Sequence, residues 1–160
     1  MKIKFGPRNT LLIDDARIIY RNFSGAPSKF NREGDRNFSV VIPDEETADI
    51  LKDDGWNIKI KPPREEGDTP FMYLPVKVKF NDRGPTAYLK TGKVLNKLDE
   101  ESINCLDDVD IVSVDMDLRP YDWDINGKVG RTAYLQSIHV TQQIDRFAER
   151  YNNVEDDDIY

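Results

Sequence analysis

The residues best suited to chemistry lie in the stretch "YRNFSGAPSKFNREGDRNF" (20–38). Tyr20, Phe23, Phe30 and Phe38 are interleaved there with Arg21, Lys29, Arg32 and Arg36. A single nucleic-acid strand calls for this mixture, because its phosphates need cations and its unpaired bases offer flat faces to aromatic rings. Each stacked base contributes roughly 1–3 kcal/mol, so a few rings give useful affinity without reading sequence. Phe23 and Phe30 flank a loop and read as stacking rings. Phe38, followed at alternate positions by Val40 and Ile42, reads as core. Further along, Lys59 and Lys61 share one strand face, as do Lys77 and Lys79, and together they would line one groove if both strands joined one curved sheet. Trp123, Lys128 and Arg131, beside Tyr121 around a hairpin, complete the candidate binding set.

Catalytic chemistry finds less support. Asp115 and Asp117 in "VDMDL" share a strand face at a spacing that suits a divalent metal, with Glu65, Glu66 and Asp68 as further oxygens. Acids at period two are also what the solvent face of a strand shows. His139, the sole histidine, has no nucleophile or acid paired with it by any motif. Cys105, the sole cysteine, reads as a small buried residue. There is no phosphate-cradling glycine loop and no nucleotide fingerprint, so neither catalysis nor a cofactor is expected.

The charge is unevenly spread. Residues 1–98 carry 18 Lys and Arg against 14 Asp and Glu, whereas residues 99–160 carry 5 against 16, which gives the net −7. Such asymmetry suggests a basic working surface with an acidic region elsewhere. No segment is long and apolar enough to span a bilayer, and "MKIKFGPRNT" is not a secretory signal, so a cytoplasmic protein without membrane contact is expected.

The elements that must position these residues are mostly strands. "NTLLIDDARIIYRNF" (9–23) reads as one long strand or two joined by a bend, and 25–36 as a loop. Residues 37–43 form a strand ending at Pro43. Residues 44–56 form a helix capped by Asp44 and stopped by Gly55. Further strands are expected at 56–61, 71–80, 86–92, 109–123 and 131–144, with Asn126-Gly127 as a hairpin tip. Residues 97–108 and "DRFAERYNN" suggest helical turns. The sum is an all-β domain over residues 1–150, an OB-like small barrel with one short helix and long loops. A β-sandwich would satisfy the same pattern.

The chain ends "NNVEDDDIY". Four adjacent acids repel and stay solvated, so residues 151–160 read as a flexible acidic tail. Glu155, Asp156, Asp157 and Asp158 mimic phosphates, and Ile159 and Tyr160 give a compact docking handle. This ending resembles the tail of bacterial single-stranded-DNA-binding proteins. The body, in "FSGAPSKFNREGDRNFSVVIPDEETADILKDDGWNIK" and "DWDINGKVGRTAYLQSIHV", resembles OB-fold single-stranded-DNA-binding proteins of phages. The resemblance implies a barrel that coats single strands in phage replication or recombination within the host cytoplasm. It also implies a tail that recruits replication or recombination proteins. Tyr160 departs from the Phe usual in such tails, and no Pro precedes it. A homodimer is compatible with this reading. Two other readings remain: a protein-interaction or virion structural β-domain, and a metal-dependent nuclease built on Asp115 and Asp117.

Overall fold

Alternation of apolar and polar residues sends every second side chain inward along most of this chain. The computed structural model describes residues 1–144; the remaining residues, with the expected terminal helical turn and the acidic tail, lie outside the described residues. The strands are β1 (Lys2–Phe5), β2 (Leu11–Ala16), β3 (Ile18–Asn22), β4 (Arg36–Ile42), β5 (Lys59–Lys61), β6 (Phe71–Val78), β7 (Thr86–Thr91), β8 (Val94–Leu98), β9 (Ile111–Ile125) and β10 (Lys128–Gln142). One helix, α1 (Glu45–Asp54), and a 3-10 turn at Ile103–Asp107 complete the elements that matter for the site. Among the described residues no helix is long and apolar enough to cross a membrane.

All ten strands join one sheet, whose main path runs β1-β2-β9-β10-β6-β4-β3. β5 pairs with β6, and the β7–β8 hairpin joins β10 through β7. No ladder links the two ends of this path among the described residues, so the expected barrel is not closed by strand pairing. β2 and β3 are nevertheless successive halves of one run, parted only by Arg17. β2 pairs with β9 and β3 with β4. The long strand expected at 9–23 therefore bends. Its register slips between Ile13 and Ala16 and again between Ile19 and Asn22. Asp15 and Tyr20, inside those slips, take left-handed backbone with φ of 54° and 52°. Such bulges tighten the local twist and turn the strand. The Asp15 N–H donates to Asp115 Oδ1 at 2.8 Å, which fixes the first bulge to the neighbouring strand.

The inward faces meet in one apolar cluster. Phe38, Val40 and Ile42 of β4 and Leu74, Val76 and Val78 of β6 belong to it, as do Val114, Met116 and Leu118 of β9. Phe23 corrects the sequence reading. It is fully buried and stacks on Phe38 with centroids 5.0 Å apart. The chain turns into its loop after this ring, so Phe23 anchors the loop from below and has no face left for a base. α1 forms where expected: the Asp44 carboxylate accepts from the Thr47 N–H at 2.7 Å, and Gly55 closes the helix in the left-handed region. Its Ala48 and Leu51 are buried. β1 and β8 were not anticipated. Both lie at sheet margins and have few buried side chains, which weakens the alternation that identifies a strand.

Phe23→Ala should destabilise the fold by about 3–5 kcal/mol, as removal of a buried aromatic does. Chemical denaturation reads this directly. A loss below about 1 kcal/mol would contradict a core role for the ring.

Candidate nucleic-acid interface

The strand period that fills the core also defines what faces out. On β6, Met72, Leu74, Val76 and Val78 point inward, so Phe71, Tyr73, Pro75 and Lys77 share the outer face. Register places Asn37 of β4 beside Lys77, Ser39 beside Pro75, and Val41 beside Tyr73. On the other edge of β6, Lys59 lies beside Tyr73 and Lys61 beside Phe71. Tyr134 of β10 lies beside Lys77, with Arg119 of β9 next in the same row. One outer face thus carries rings and cations in adjacent rows.

The rings touch one another. Tyr20 meets Tyr73 edge-on at 5.7 Å, and Phe71 lies 5.8 Å from Tyr73. Tyr121 meets Tyr134 edge-on at 6.2 Å, and the Arg119 guanidinium sits 5.1 Å above the Tyr134 ring. A groove of about 750 Å³ is lined by Phe30, Asn37, Ser39, Lys77, Lys79 and Tyr134, and also by Asp35 and Glu100. Lys59, Lys61, Lys77 and Lys79 are exposed, and among the described residues none is ion-paired: both recorded ion pairs belong to Arg131.

The loop between β3 and β4 overhangs the groove and is held at its neck. Gly34 N–H donates to the Gly25 carbonyl at 2.8 Å, and a Cβ on Gly25 would come within 2.9 Å of the Gly34 backbone. Gly25 also has φ of +69°, so glycine is required there on both counts. The Asn31 amide donates to the Ala26 and Asp35 carbonyls. Below the neck, both Asp107 carboxylate oxygens accept backbone N–H groups, from Phe23 at 2.6 Å and from Ser24 at 3.1 Å. The loop presents Phe30, 93% exposed, with Lys29 Nζ 5.7 Å from its ring centroid. Arg32 is exposed on the same loop.

Several expected binding residues have structural partners instead. Arg21 donates to the Leu106 and Val109 carbonyls. Arg36 donates to the Phe23 carbonyl and Asn104 Oδ1, although it still lines the groove. Arg131 bonds Asp122 at 2.6 Å and Asp54 at 3.3 Å, and stacks over Trp56. Its hydrogen bond holds the Asp122 carboxyl below the usual carboxylate range. That contact stabilises above the ordinary carboxylate range and is lost as pH falls through the depressed value. The Trp123 ring covers Gly130 so closely that a Cβ there would lie 2.2 Å from it; the indole pins the hairpin. Lys128 is exposed at the hairpin tip. Among the described residues, Lys29, Phe30, Arg32, Lys59, Lys61, Lys77 and Lys79 have no polar side-chain partner that would hold them from a ligand.

Asp115 and Asp117 have structural partners, whereas Glu65, Glu66 and Asp68 are exposed in a loop. Asp115 accepts the Asp15 N–H, and Asp117 accepts the Ser137 hydroxyl at 2.9 Å. Among the described residues no group of three or more His, Cys, Asp or Glu is placed to hold a metal. Burial, with Asp107 and Asp108 nearby, raises the Cys105 thiol above its ordinary value, which opposes a nucleophilic role. The sequence reading missed Phe71, Tyr73 and Tyr134 as surface rings. A signal existed for two of them: Phe71 and Tyr73 stand at even spacing from Lys77, on the face already assigned to lysines.

The fold is that of phage single-stranded-DNA-binding proteins. A single-stranded-DNA-binding protein from bacteriophage Enc34, in complex with ssDNA, aligns with a TM-score of 0.58 at 11% identity, covering 91% of this chain and 93% of that one. A second structure of the same phage protein aligns at 0.57 and 11% identity, covering 97% of this chain and 93% of that one. Its C-terminal truncation aligns at 0.52 and 13% identity, covering 91% and 94%. The chain itself belongs to the putative phage ssDNA-binding domain family, whose model matches residues 1–159. No curated protein sequence matches it.

Asp107→Ala should free the Phe23 and Ser24 amides, speed their hydrogen exchange, and cost about 1–3 kcal/mol of stability. Unchanged protection of both amides would show that the carboxylate does not hold the loop neck.

Proposed function

We propose that this chain binds single-stranded DNA, with little sequence preference and without catalysis, along the outer face of β4, β6 and β10. The observation that carries this reading is the row structure of that face: contacting rings at Tyr20, Tyr73, Phe71, Tyr134 and Tyr121 beside lysines that form no ion pair among the described residues. Rings supply stacking and lysines supply phosphate charge, and neither needs a particular base. Phe30 on its braced loop adds a ring over the groove, with Lys29 and Arg32 at the rim. Family membership and the structure of the Enc34 protein in complex with ssDNA support the same ligand.

We also read the architecture as an OB-like barrel whose ring is completed covalently through Arg17. The strand order β3-β4-β6-β10-β9-β2 supports this, because its first and last members are one bent run. In OB-folds the face of the second and third strands, flanked by the first and last hairpin loops, takes up oligonucleotides. The loop at 23–35 and the hairpin at Asn126-Gly127 are the corresponding loops here. The chemistry of Glu155 to Tyr160 supports a tail that competes with DNA for the basic face and docks replication or recombination proteins once displaced.

Fluorescence anisotropy with a labelled thymidine oligomer and its duplex tests the reading. Tyr73→Ala and Phe30→Ala should each weaken single-strand binding by roughly 1–3 kcal/mol. The slope of log affinity against log salt should be near −0.7 per phosphate contacted. Equal affinity for duplex, or indifference to both substitutions, would overturn the assignment. Removing residues 151–160 should raise affinity most at low salt; an unchanged low-salt affinity would dismiss competition by the tail.

A further inference from the structure

We propose that a long single strand continues beyond Tyr134 onto the β7–β8 hairpin, a second contact patch centred on Lys90, Lys93 and Lys97. This extension rests on the groove reading above and assigns it a path. Residues 86–98, "TAYLKTGKVLNKL", contain three lysines and no acid, in a chain whose net charge is −7. All three lysines are exposed. Register sets Lys97 beside Tyr88, and Lys90 beside Leu95. Tyr88 in turn lies beside His139 of β10. A half-buried ring and the lysines Lys90 and Lys97 therefore share one sheet face, with Lys93 at the turn between the strands.

The patch connects with the groove through a single strand. β6 and β7 use the same edge of β10, β6 at Ala133–Tyr134 and β7 at Ser137–Gln142. The outer face of β10 thus leads from Tyr134 to His139 over about 16 Å at the usual strand rise. The far side of β10 is closed to phosphate, because Asp117 and Asp115 of β9 stand beside Ser137 and His139. A polyanion leaving Tyr134 is repelled on that flank and attracted on the other. Pairing of β8 with a second copy of itself is opposed by its Lys97, since a charge guards an edge strand against such contacts.

The test compares thymidine oligomers of ~4 and ~16 nucleotides, the range of sites on one OB-type domain. The triple variant Lys90→Ser, Lys93→Ser, Lys97→Ser is measured against the parent chain. The proposal expects unchanged affinity for the short oligomer and a loss of roughly tenfold or more for the long one at low salt. The salt slope for the long oligomer should shrink by about 2, for three lost phosphate contacts at ~0.7 each. Lys93→Glu alone should show the same length dependence and guards against misfolding of the triple variant. Equal losses at both lengths, or no loss at either, would overturn the extension while leaving the groove intact. If the parent bound neither oligomer, the groove reading would fall and the extension with it. If the variant instead lost salt-sensitive binding of the peptide NNVEDDDIY while keeping full long-strand affinity, the patch would serve an acidic polypeptide and the proposal would be wrong.

Discussion

The bend in Leu11–Asn22 is the constraint on which the rest depends. A straight run could pair along one pair of neighbours only. Two bulges, at Asp15 and Tyr20, let its first half pair with β9 and its second with β4. The sheet between them must then curl, because its two ends belong to one covalent segment. Curling buries one face as a continuous core and turns the other outward. Strand alternation does the remainder: a chain that supplies Val76 and Val78 to the core has to supply Lys77 to the surface between them. The outward rows of rings and lysines follow from how the core is filled.

Charge is sorted by a related logic. Four acids of the second half are engaged within the fold. Asp107 braces the loop neck, Asp115 fixes a bulge, Asp117 holds a serine, and Asp122 pairs with Arg131. Three expected DNA-binding arginines are engaged in the same way, with backbone carbonyls or carboxylates as partners. Among the described residues, the lysines of β5, β6, β7 and β8 have no such partners. Net charge is a sum over the whole chain, so a protein of net negative charge can still carry local rows of exposed lysines.

Features governed by neighbours in sequence were legible. The Asp44 cap, the Gly55 stop, the Asn126-Gly127 hairpin and the lysine parity on β6 depend on residues a few positions apart. Features governed by distant contacts were not. Arg21 meets carbonyls 85 and 88 residues away, and no local pattern separates an arginine that bonds a carbonyl from one that awaits a phosphate. Phe23 looked like a loop ring because the loop begins immediately after it; its stacking on Phe38 requires the β3–β4 pairing to be known. Tyr134 joined the proposed binding face only once parallel pairing of β10 with β6 set it beside Lys77.

The most direct test of the central claim is lysine acetylation footprinting by mass spectrometry, with and without a saturating thymidine oligomer. Lys59, Lys61, Lys77 and Lys79 should be protected by the strand, while Lys2 and Lys4 on β1, at the far end of the sheet path, should react as before. Protection that spares Lys77 and Lys79, or that falls evenly on all exposed lysines, would contradict a binding face on β4, β6 and β10.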